Sequence, residues 1–232
     1  MKIILSPSKT QKPHRMTHYS EKELLFESKH KKILAALRKL SKSDLQRIMK
    51  LSDDLLNQTY TNIKNYNSLE SFQAFDAFTG LVFLNMSRDR YQPEEYKYIE
   101  KHLRILDAFY GILEPGTLIK PYRLDMKMDI GLPLYKHWDI TDYFKDEIII
   151  NLASTEFSKM IQSDTMVTIS FLQNKEGKYV NQATYSKMAR GKFVNFMVEN
   201  KVTTIEELFS FNQEGYIYNP KLSDNKTVVF TR

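Results

Sequence analysis

Two short apolar segments that end abruptly in polar residues constrain the fold of this chain most strongly. The opening segment MKIIL runs directly into SPSKT at residues 6–10, and EIIIN at residues 147–151 runs into LAS. A short continuous apolar run bounded by turn residues is typical of a strand that is buried in a core. The sequence therefore predicts buried strands, and it places polar residues where those strands end.

Two further segments carry residues that start helices. The sequence SEKE at 20–23 has the form of a capping box, and it predicts a helix that ends near Leu40. The sequence QPEE at 92–95 places a proline and two acids in a first helical turn. We expect this second helix to run to about Phe109, before a turn at 110–116.

Hairpins are predicted in two places near the end of the chain. The segments TMVTISFL and KYVNQATY flank NKEG at 174–177, and GYIYN is followed by KTVVFTR. The chain has no repeat, no low-complexity segment and no linker rich in proline, glycine or serine. Because strands are scattered among helices instead of forming regular βαβ units, we expect residues 1–232 to form a single compact α+β domain.

Composition excludes several classes of protein. The absence of cysteine removes disulfides, thiolate nucleophiles and cysteine-ligated metals, and it fits a reducing cytoplasm. The histidines, at 14, 18, 30, 102 and 137, are dispersed, so we expect no metal centre and no cofactor. The opening apolar run is too short for a signal peptide, and no run approaches the ~20 residues of a membrane helix. We therefore expect a cytoplasmic protein with no membrane partner.

The charge of the chain permits an anionic partner without requiring one. The formal net charge is +6, and the sequence pI is about 9.2. Residues 29–50 contain eight basic side chains against Asp44, and residues 175–192 contain five against Glu176. Each cluster could equally be the solvent-exposed face of a helix or hairpin.

Two familiar catalytic motifs do not fit. SPSKT follows a strand, but it lacks the glycines of a phosphate-binding P-loop, and Pro7 removes a backbone amide. SPSK at 6–9 and SDN at 223–225 match two elements of penicillin-recognising enzymes, but SDN lies too close to the end and no KTG follows it. Spacing alone indicates no set of nucleophile, base and orienting residue.

Small polar and cationic residues recur where the predicted elements end. Lys9 follows the first strand, Arg123 follows a glycine-proline turn, Asn151 and Ser154 stand where EIIIN ends, and Arg190 lies in SKMARGK. Junctions between strands and helices offer free backbone amides and a dipole that favour anions. We interpret SPSKT as one wall of an anion pocket, and the alternative is that these residues are helix caps and surface charges.

Taken together, eight segments in order resemble the YaaA family of bacterial peroxide-stress proteins. These segments are ILSPSKT, FTGL, HLRILDAFYGILEPGTLIKPYRLDM, LYKHWD, INLASTEFSK, KMARGKFVNFMVEN, FNQEGY and VFTR. The resemblance implies a cytoplasmic protein that helps bacteria to survive hydrogen peroxide by limiting damage from unincorporated iron. It also implies a single α+β fold of unusual topology, a helix-hairpin-helix-like element, a positively charged cleft and DNA binding. We place the helix-hairpin-helix at 94–109, the turn at 110–116 and the stretch that follows.

The resemblance also selects polar positions as candidates for binding DNA or another anion. The matching residues are Lys9, Arg104, Arg123, Lys136, Asn151, Ser154, Lys187, Arg190 and Asn212. This chain departs from the family at Phe78 and Phe157, where a tyrosine is frequent, and at Thr155, where an acid is frequent. We therefore assign no catalytic role to these three positions.

Three functions remain open at this point. The favoured one is non-enzymatic, sequence-independent DNA binding, in which Lys9, Arg123, Lys187 and Arg190 neutralise phosphates. The second is an enzyme that acts on a nucleotide or another small anionic substrate in the same cleft. The third is an iron-sequestering protein. The sequence indicates no oligomeric state.

Overall fold

The computed structural model describes residues 1–12 and 18–232. Within this range the strands are β1 (Lys2–Leu5), β2 (Phe72–Gln73), β3 (Leu103–Asp107), β4 (Gly111–Leu113), β5 (Leu118–Ile119), β6 (Ile149–Asn151), β7 (Met166–Lys175), β8 (Lys178–Val180), β9 (Ile217–Tyr218) and β10 (Thr227–Thr231). The α-helices are α1 (Glu27–Lys39), α2 (Lys42–Met49), α3 (Asp53–Lys64), α4 (Ala74–Ala77), α5 (Leu81–Leu84), α6 (Pro93–His102), α7 (Leu134–His137), α8 (Thr155–Ser158), α9 (Ala183–Glu199) and α10 (Ile205–Leu208). Short 3-10 turns lie at Tyr66–Ser68, Arg88–Arg90, Thr141–Phe144 and Gln213–Gly215.

A mixed sheet forms the centre of the described chain. Its strands lie in the order β4-β3-β1-β6-β7-β10-β9, and β8 extends the sheet by pairing with β7. The five central strands, from β3 to β10, run parallel, whereas β4, β8 and β9 are antiparallel to their neighbours. A separate pair, β2 and β5, is antiparallel. The fold is therefore a single compact α+β domain whose sheet has a parallel centre.

The apolar runs are explained by the position of their strands in this sheet. Strand β1 lies between β3 and β6, with Ile4 opposite Arg104 on one side and Asn151 on the other. Every residue of β3 and β6 is buried, and Ile3, Ile4 and Leu5 of β1 are buried too. Central parallel strands are covered on both faces, so they need apolar side chains on both faces.

The order of the strands places a topological switch point between β1 and β6. The chain leaves β1 and enters the sheet again at β3, on one side, whereas it leaves β6 and continues into β7 on the other side. In open α/β sheets, the carboxyl ends of two such neighbouring strands bound a crevice in which ligands bind. In this chain those carboxyl ends are SPSKT and LAS.

Helix α9 packs closely against α5 because of a glycine. A Cβ atom at Gly191 would lie 2.2 Å from the carbonyl oxygen of Val82, so α9 could not lie this near α5 with any other residue there. The close approach matters for the site, because Gly191 directly follows Arg190 on α9.

Several predicted elements are confirmed and two helix assignments are wrong. The hairpin of β7 and β8 is formed, and β9 pairs antiparallel with β10. The predicted helix start at 20–23 is wrong, because Lys22 forms a β-bridge with Thr117 and α1 begins only at Glu27.

The helix predicted to run from about residue 94 to Phe109 is also too long. It ends at His102, and the chain continues as β3, which pairs with β1 and turns back as β4. The segment at 94–116 therefore consists of a helix followed by a β-hairpin, and a helix-hairpin-helix is not shown there. Pairing with β1 in the core overrides the local helical signal, as tertiary contacts commonly do.

Candidate anion-binding site

A cavity of about 410 Å³ lies at the carboxyl ends of β1 and β6. Five stretches that are distant in the sequence line it, namely residues 6–11, 80–83, 122–125, 152–157 and one face of α9. The cavity thus occupies the crevice that the strand order predicts. Its volume is in the range of pockets that hold small molecules and cofactors.

Serines join the two strand ends that form the base of this cavity. Ser6 Oγ accepts a hydrogen bond from the Ser154 backbone amide at 2.8 Å and donates to Ser154 Oγ at 3.2 Å. Ser8 Oγ accepts from the Thr10 amide at 3.1 Å, which closes a local turn in the loop. A Cβ at residue 80 would lie 2.6 Å from Ser8 Oγ, so Gly80 allows this loop to pack against the start of α5.

Gln11 fixes the loop against the opposite wall. Its side-chain Nε2 donates to the carbonyl oxygen of Tyr122 at 3.2 Å, and its Oε1 accepts from the Tyr122 amide at the same distance. Gln11 also forms a backbone β-bridge with Phe78. The SPSKT loop is therefore held on two sides and forms a defined wall of the cavity.

Four cations and two carboxylates line the cavity. The cations are Lys9, Arg123, Lys187 and Arg190, and the carboxylates are Asp125 and Glu156. Lys9 Nζ lies 2.6 Å from Asp125 Oδ2, and the Lys9 side chain is 63% exposed at the rim. No carboxylate of the described residues lies within ion-pair distance of Arg123, Lys187 or Arg190.

Arg190 is the most unusual of these cations. Its Nε is buried and has no hydrogen-bond partner among the described residues, and burial lowers the pKa of its guanidinium because the charged form loses hydration. Glu156 Oε1, in the same cavity, is also buried without a hydrogen-bond partner. Buried polar atoms without partners are rare in folded proteins, and each calls for an explanation such as an ion or ligand.

The structure brings five of the nine predicted site residues together. Those that line the cavity are Lys9, Arg123, Ser154, Lys187 and Arg190. Lys187 and Arg190 are three residues apart on α9, so they lie on the same face of that helix. Ser154 precedes α8 without making a side-chain cap, and its hydroxyl bonds Ser6 instead.

Asn151 lies just beneath the cavity and does not line it. Its Nδ2 donates to Thr168 Oγ1 at 3.0 Å, and its Oδ1 accepts from the Ala153 amide at 2.9 Å. These bonds set the turn that leads from β6 to Ser154. Asn151 therefore positions the cavity wall.

Arg104, Lys136 and Asn212 do not line the cavity, and Asn212 is exposed. Arg104 stands near the amino end of β3, where its guanidinium lies 3.0 Å from Glu114 Oε1 and donates to the Tyr143 hydroxyl at 2.6 Å. Lys136 is exposed on α7. None of the three contributes to the cavity lining, so the structure separates them from the five candidates that do.

A second cavity, of about 280 Å³, adjoins the first. The two share a wall made of Lys9, Thr10, Gln11, Tyr122 and Arg123. Helices α1 and α3 form the far side of the second cavity.

Behind the shared wall lies a buried carboxyl group, Asp107, at the carboxyl end of β3. Its Oδ1 accepts from the amides of Phe109 and Tyr110, at 2.7 and 2.9 Å, and its Oδ2 accepts a short hydrogen bond from the Tyr122 hydroxyl. Burial raises the pKa of Asp107 to about 6, although these hydrogen bonds oppose the shift. The Asp107–Tyr122 pair holds the Tyr122 ring in place between the two cavities.

Sequence reasoning missed Asp125, Glu156 and Gly80. Asp125 lies two positions after Arg123, and Glu156 lies two positions after Ser154. Both acids were therefore close in sequence to predicted site residues, and this proximity could have identified them. Gly80 lay within the FTGL segment, but only the close approach of Ser8 shows why a glycine is there.

The described residues contain neither a cluster of metal ligands nor a membrane-spanning helix. No three histidine, aspartate or glutamate side chains lie close enough to share a metal ion, and His14 falls outside the described residues. None of the described helices has the length and apolar character needed to cross a bilayer.

The sheet and cavity together define an α+β protein whose candidate site lies at the carboxyl ends of parallel strands. The family model described as "Peroxide stress protein YaaA" matches residues 1–222. The chain belongs to this family, which confirms the resemblance seen in its motifs.

Curated relatives extend the same relationship over the whole length of the chain. UPF0246 proteins from Fusobacterium nucleatum, Agathobacter rectalis and Finegoldia magna are 40%, 36% and 35% identical to it, respectively. Each alignment covers 100% of this chain, and 99%, 99% and 98% of the respective relatives.

Proposed function

We propose that this peroxide-stress protein acts by binding a phosphate-bearing small ligand in the cavity at the carboxyl ends of β1 and β6. The observation that carries the proposal is Arg190, whose buried Nε has no partner in the described chain. A guanidinium presents several donors in a fixed plane that matches the oxygens of a phosphate. A bound phosphate would therefore satisfy Arg190 and offset the cost of its burial.

The rest of the lining supports an anionic ligand. Lys187 shares a face of α9 with Arg190, and Arg123 reaches the cavity from the opposite wall. At the rim, Asp125 neutralises the charge of Lys9. The cations that remain to bind the ligand are Arg123, Lys187 and Arg190. Glu156 adds a carboxylate that can accept a hydrogen bond from a hydroxyl or amine of the ligand.

DNA is the second candidate, and a specific observation favours it. Lys9 and Lys187 are exposed at the cavity, and the chain carries a net charge of +6. In this case Lys9, Arg123, Lys187 and Arg190 would contact backbone phosphates, and binding would be independent of sequence. Limiting iron-dependent damage, which membership of the family implies, could follow from either kind of binding.

The test is calorimetric titration of the purified protein with inorganic pyrophosphate at low salt, beside two variants. We expect Arg190→Gln to weaken binding by about 10- to 150-fold, because a hydrogen bond to a charged group contributes about 1.5–3 kcal/mol. Arg47→Gln is the matched control, since Arg47 is exposed, pairs only with Asp44 and lies outside the cavity. It should leave the affinity unchanged.

Two outcomes decide between the candidates. Absence of pyrophosphate binding, or equal effects of the two variants, would remove the small-ligand proposal. DNA binding is measured by gel shift across a salt series, where the logarithm of affinity should fall with a slope of about −0.9 per phosphate contacted. Loss of the shift in Arg190→Gln without any pyrophosphate binding would favour DNA as the ligand.

A further inference from the structure

We infer that the second cavity receives the base of a nucleotide whose phosphate lies beside Arg190 in the first cavity. This inference rests on the proposed function and makes the ligand class specific. It is carried by the aromatic rings of Tyr66 and Phe109 and by two side-chain amides, which line the second cavity and not the first.

The two cavities are placed to hold two parts of one molecule. They share the lining residues Lys9, Thr10, Gln11, Tyr122 and Arg123, so they lie on either side of one wall. The wall is fixed by the hydrogen bonds between Gln11 and Tyr122. A ligand with a charged end and a second group could therefore span the wall without displacing it.

The second cavity is mostly apolar and partly aromatic. Leucines of α1 and α3 and Ile63 line one side, and rings of Tyr66, Phe109 and Tyr122 line the other. Leu37, Ile63 and Phe109 are buried, so this surface belongs to the core of the protein. Apolar and aromatic walls suit a flat heterocycle, which stacks on rings and loses little hydration.

Two amides at the cavity add hydrogen-bonding groups to this apolar lining. Gln58 and Asn62 are four residues apart on α3, so they lie on one face of the helix, and both line the cavity. Gln58 is exposed and Asn62 is half-buried, so both amides are accessible to a ligand. Each amide offers a donor and an acceptor, and this pattern matches the edge of a nucleobase.

Ligands simpler than a nucleotide fit the two cavities less completely. Inorganic phosphate or a sugar phosphate would satisfy the first cavity and leave the second cavity and its amides empty. A phosphorylated alkyl chain would fill the apolar part but not the amides. A nucleoside monophosphate uses the cations, the shared wall, the apolar lining and the amides together.

The experiment compares AMP and UMP with ribose 5-phosphate and inorganic phosphate by calorimetric titration of the full chain. Ribose 5-phosphate is AMP or UMP without the base, so the difference in affinity reports the base alone. We expect at least one nucleotide to bind about tenfold or more tightly than ribose 5-phosphate, which corresponds to about 1.4 kcal/mol.

Leu55→Trp tests the location of the base. Leu55 is half-buried at the second cavity, so an indole there should fill the cavity. The variant should then bind the nucleotide no more tightly than ribose 5-phosphate, and its affinity for ribose 5-phosphate should be unchanged. Leu40→Trp is the matched control, because Leu40 is also half-buried but lines neither cavity. If Leu55→Trp does not fold, Asn62→Ala replaces it and should weaken only the nucleotide.

The outcomes separate this inference from the proposed function. Equal affinities for nucleotides and ribose 5-phosphate, or a nucleotide advantage that survives both Leu55→Trp and Asn62→Ala, would overturn the inference and leave phosphate binding intact. No binding of any of the four compounds would overturn the proposed function, and this inference with it.

Discussion

Arg104 is buried and Arg190 is half-buried, and the two lie at opposite ends of the parallel strands at the centre of the sheet. At the amino end, Arg104 is paired with Glu114 and also donates to Tyr143 and to the carbonyl oxygens of Glu100 and Leu103. At the carboxyl end, Arg190 faces a cavity, and its buried Nε has no partner.

Under the proposed function, this difference distinguishes a cation that holds the fold from one that binds the ligand. A buried charge whose partners come from its own chain is already satisfied, so its role is to hold the fold. A buried charge without a partner costs free energy in the folded state, and it persists where it meets a ligand. Both residues were selected by the same family motifs, and only their surroundings distinguish them.

The largest expected effect is on stability at the amino end. Arg104→Met should lower the free energy of unfolding by about 3 kcal/mol, because it removes a buried guanidinium together with its ion pair to the half-buried Glu114 and its bonds to Tyr143, Glu100 and Leu103. Arg190→Met should leave the stability of the ligand-free protein unchanged or raise it. Urea unfolding of both variants gives the two values. Similar losses in both would contradict the comparison.

A pH-dependent effect is expected at Asp107, the buried carboxyl at the carboxyl end of β3. Its pKa in the folded protein, about 6, lies above the ordinary value of 3.8, so between these values the folded protein holds a proton that the unfolded chain releases. Stability therefore falls as pH rises from about 4 to about 6, by about 3 kcal/mol for this group.

Asp107→Asn removes this titration and keeps the shape of the side chain. The wild-type protein should exceed the variant in unfolding free energy most at pH 4. This difference should shrink as the pH rises to about 6. Urea unfolding at half-unit steps of pH measures it. Parallel profiles would show that Asp107 is ionised in the folded state at pH 4.

A smaller effect is expected where α9 is held against α5. Gly191→Ala places a Cβ in contact with the Val82 carbonyl, and overpacking of this kind costs about 1–3 kcal/mol. Because the helix must shift, pyrophosphate affinity should fall as well. Thr184→Ala, at an exposed position of the same helix, is the control. Unchanged affinity in Gly191→Ala would mean that the position of Arg190 tolerates a shift of α9.

The smallest effect is expected at the exposed rim. Lys9→Met should change stability by about 1 kcal/mol or less, because the Lys9 side chain is 63% exposed and its ion pair lies at the surface of the cavity rim. Its effect on pyrophosphate affinity should weaken with added salt, whereas that of Arg190→Gln should persist, since buried charges are less screened. A stability loss as large as that of Arg104→Met would assign Lys9 a structural role.

Local sequence patterns predicted part of this fold correctly. The continuous apolar runs of β1 and β6 predict strands that are buried on both faces, as observed. The turn residues at 174–177 predict the hairpin of β7 and β8. The extent of the helix after QPEE was wrong, because residues 103–107 pair with a strand a hundred residues earlier. Pairing at that distance leaves no local signal.

The sequence by itself determined the family, the buried strands and the kinds of side chain that follow them, because these depend on residue identity and near neighbours. Only the tertiary structure decided which cations share a cavity and which are neutralised. Lys9, Arg123 and Arg190 meet because the switch between β1 and β6 gathers distant loops at one sheet edge. Arg104 meets Glu114 instead, because the hairpin of β3 and β4 folds that carboxylate back onto it.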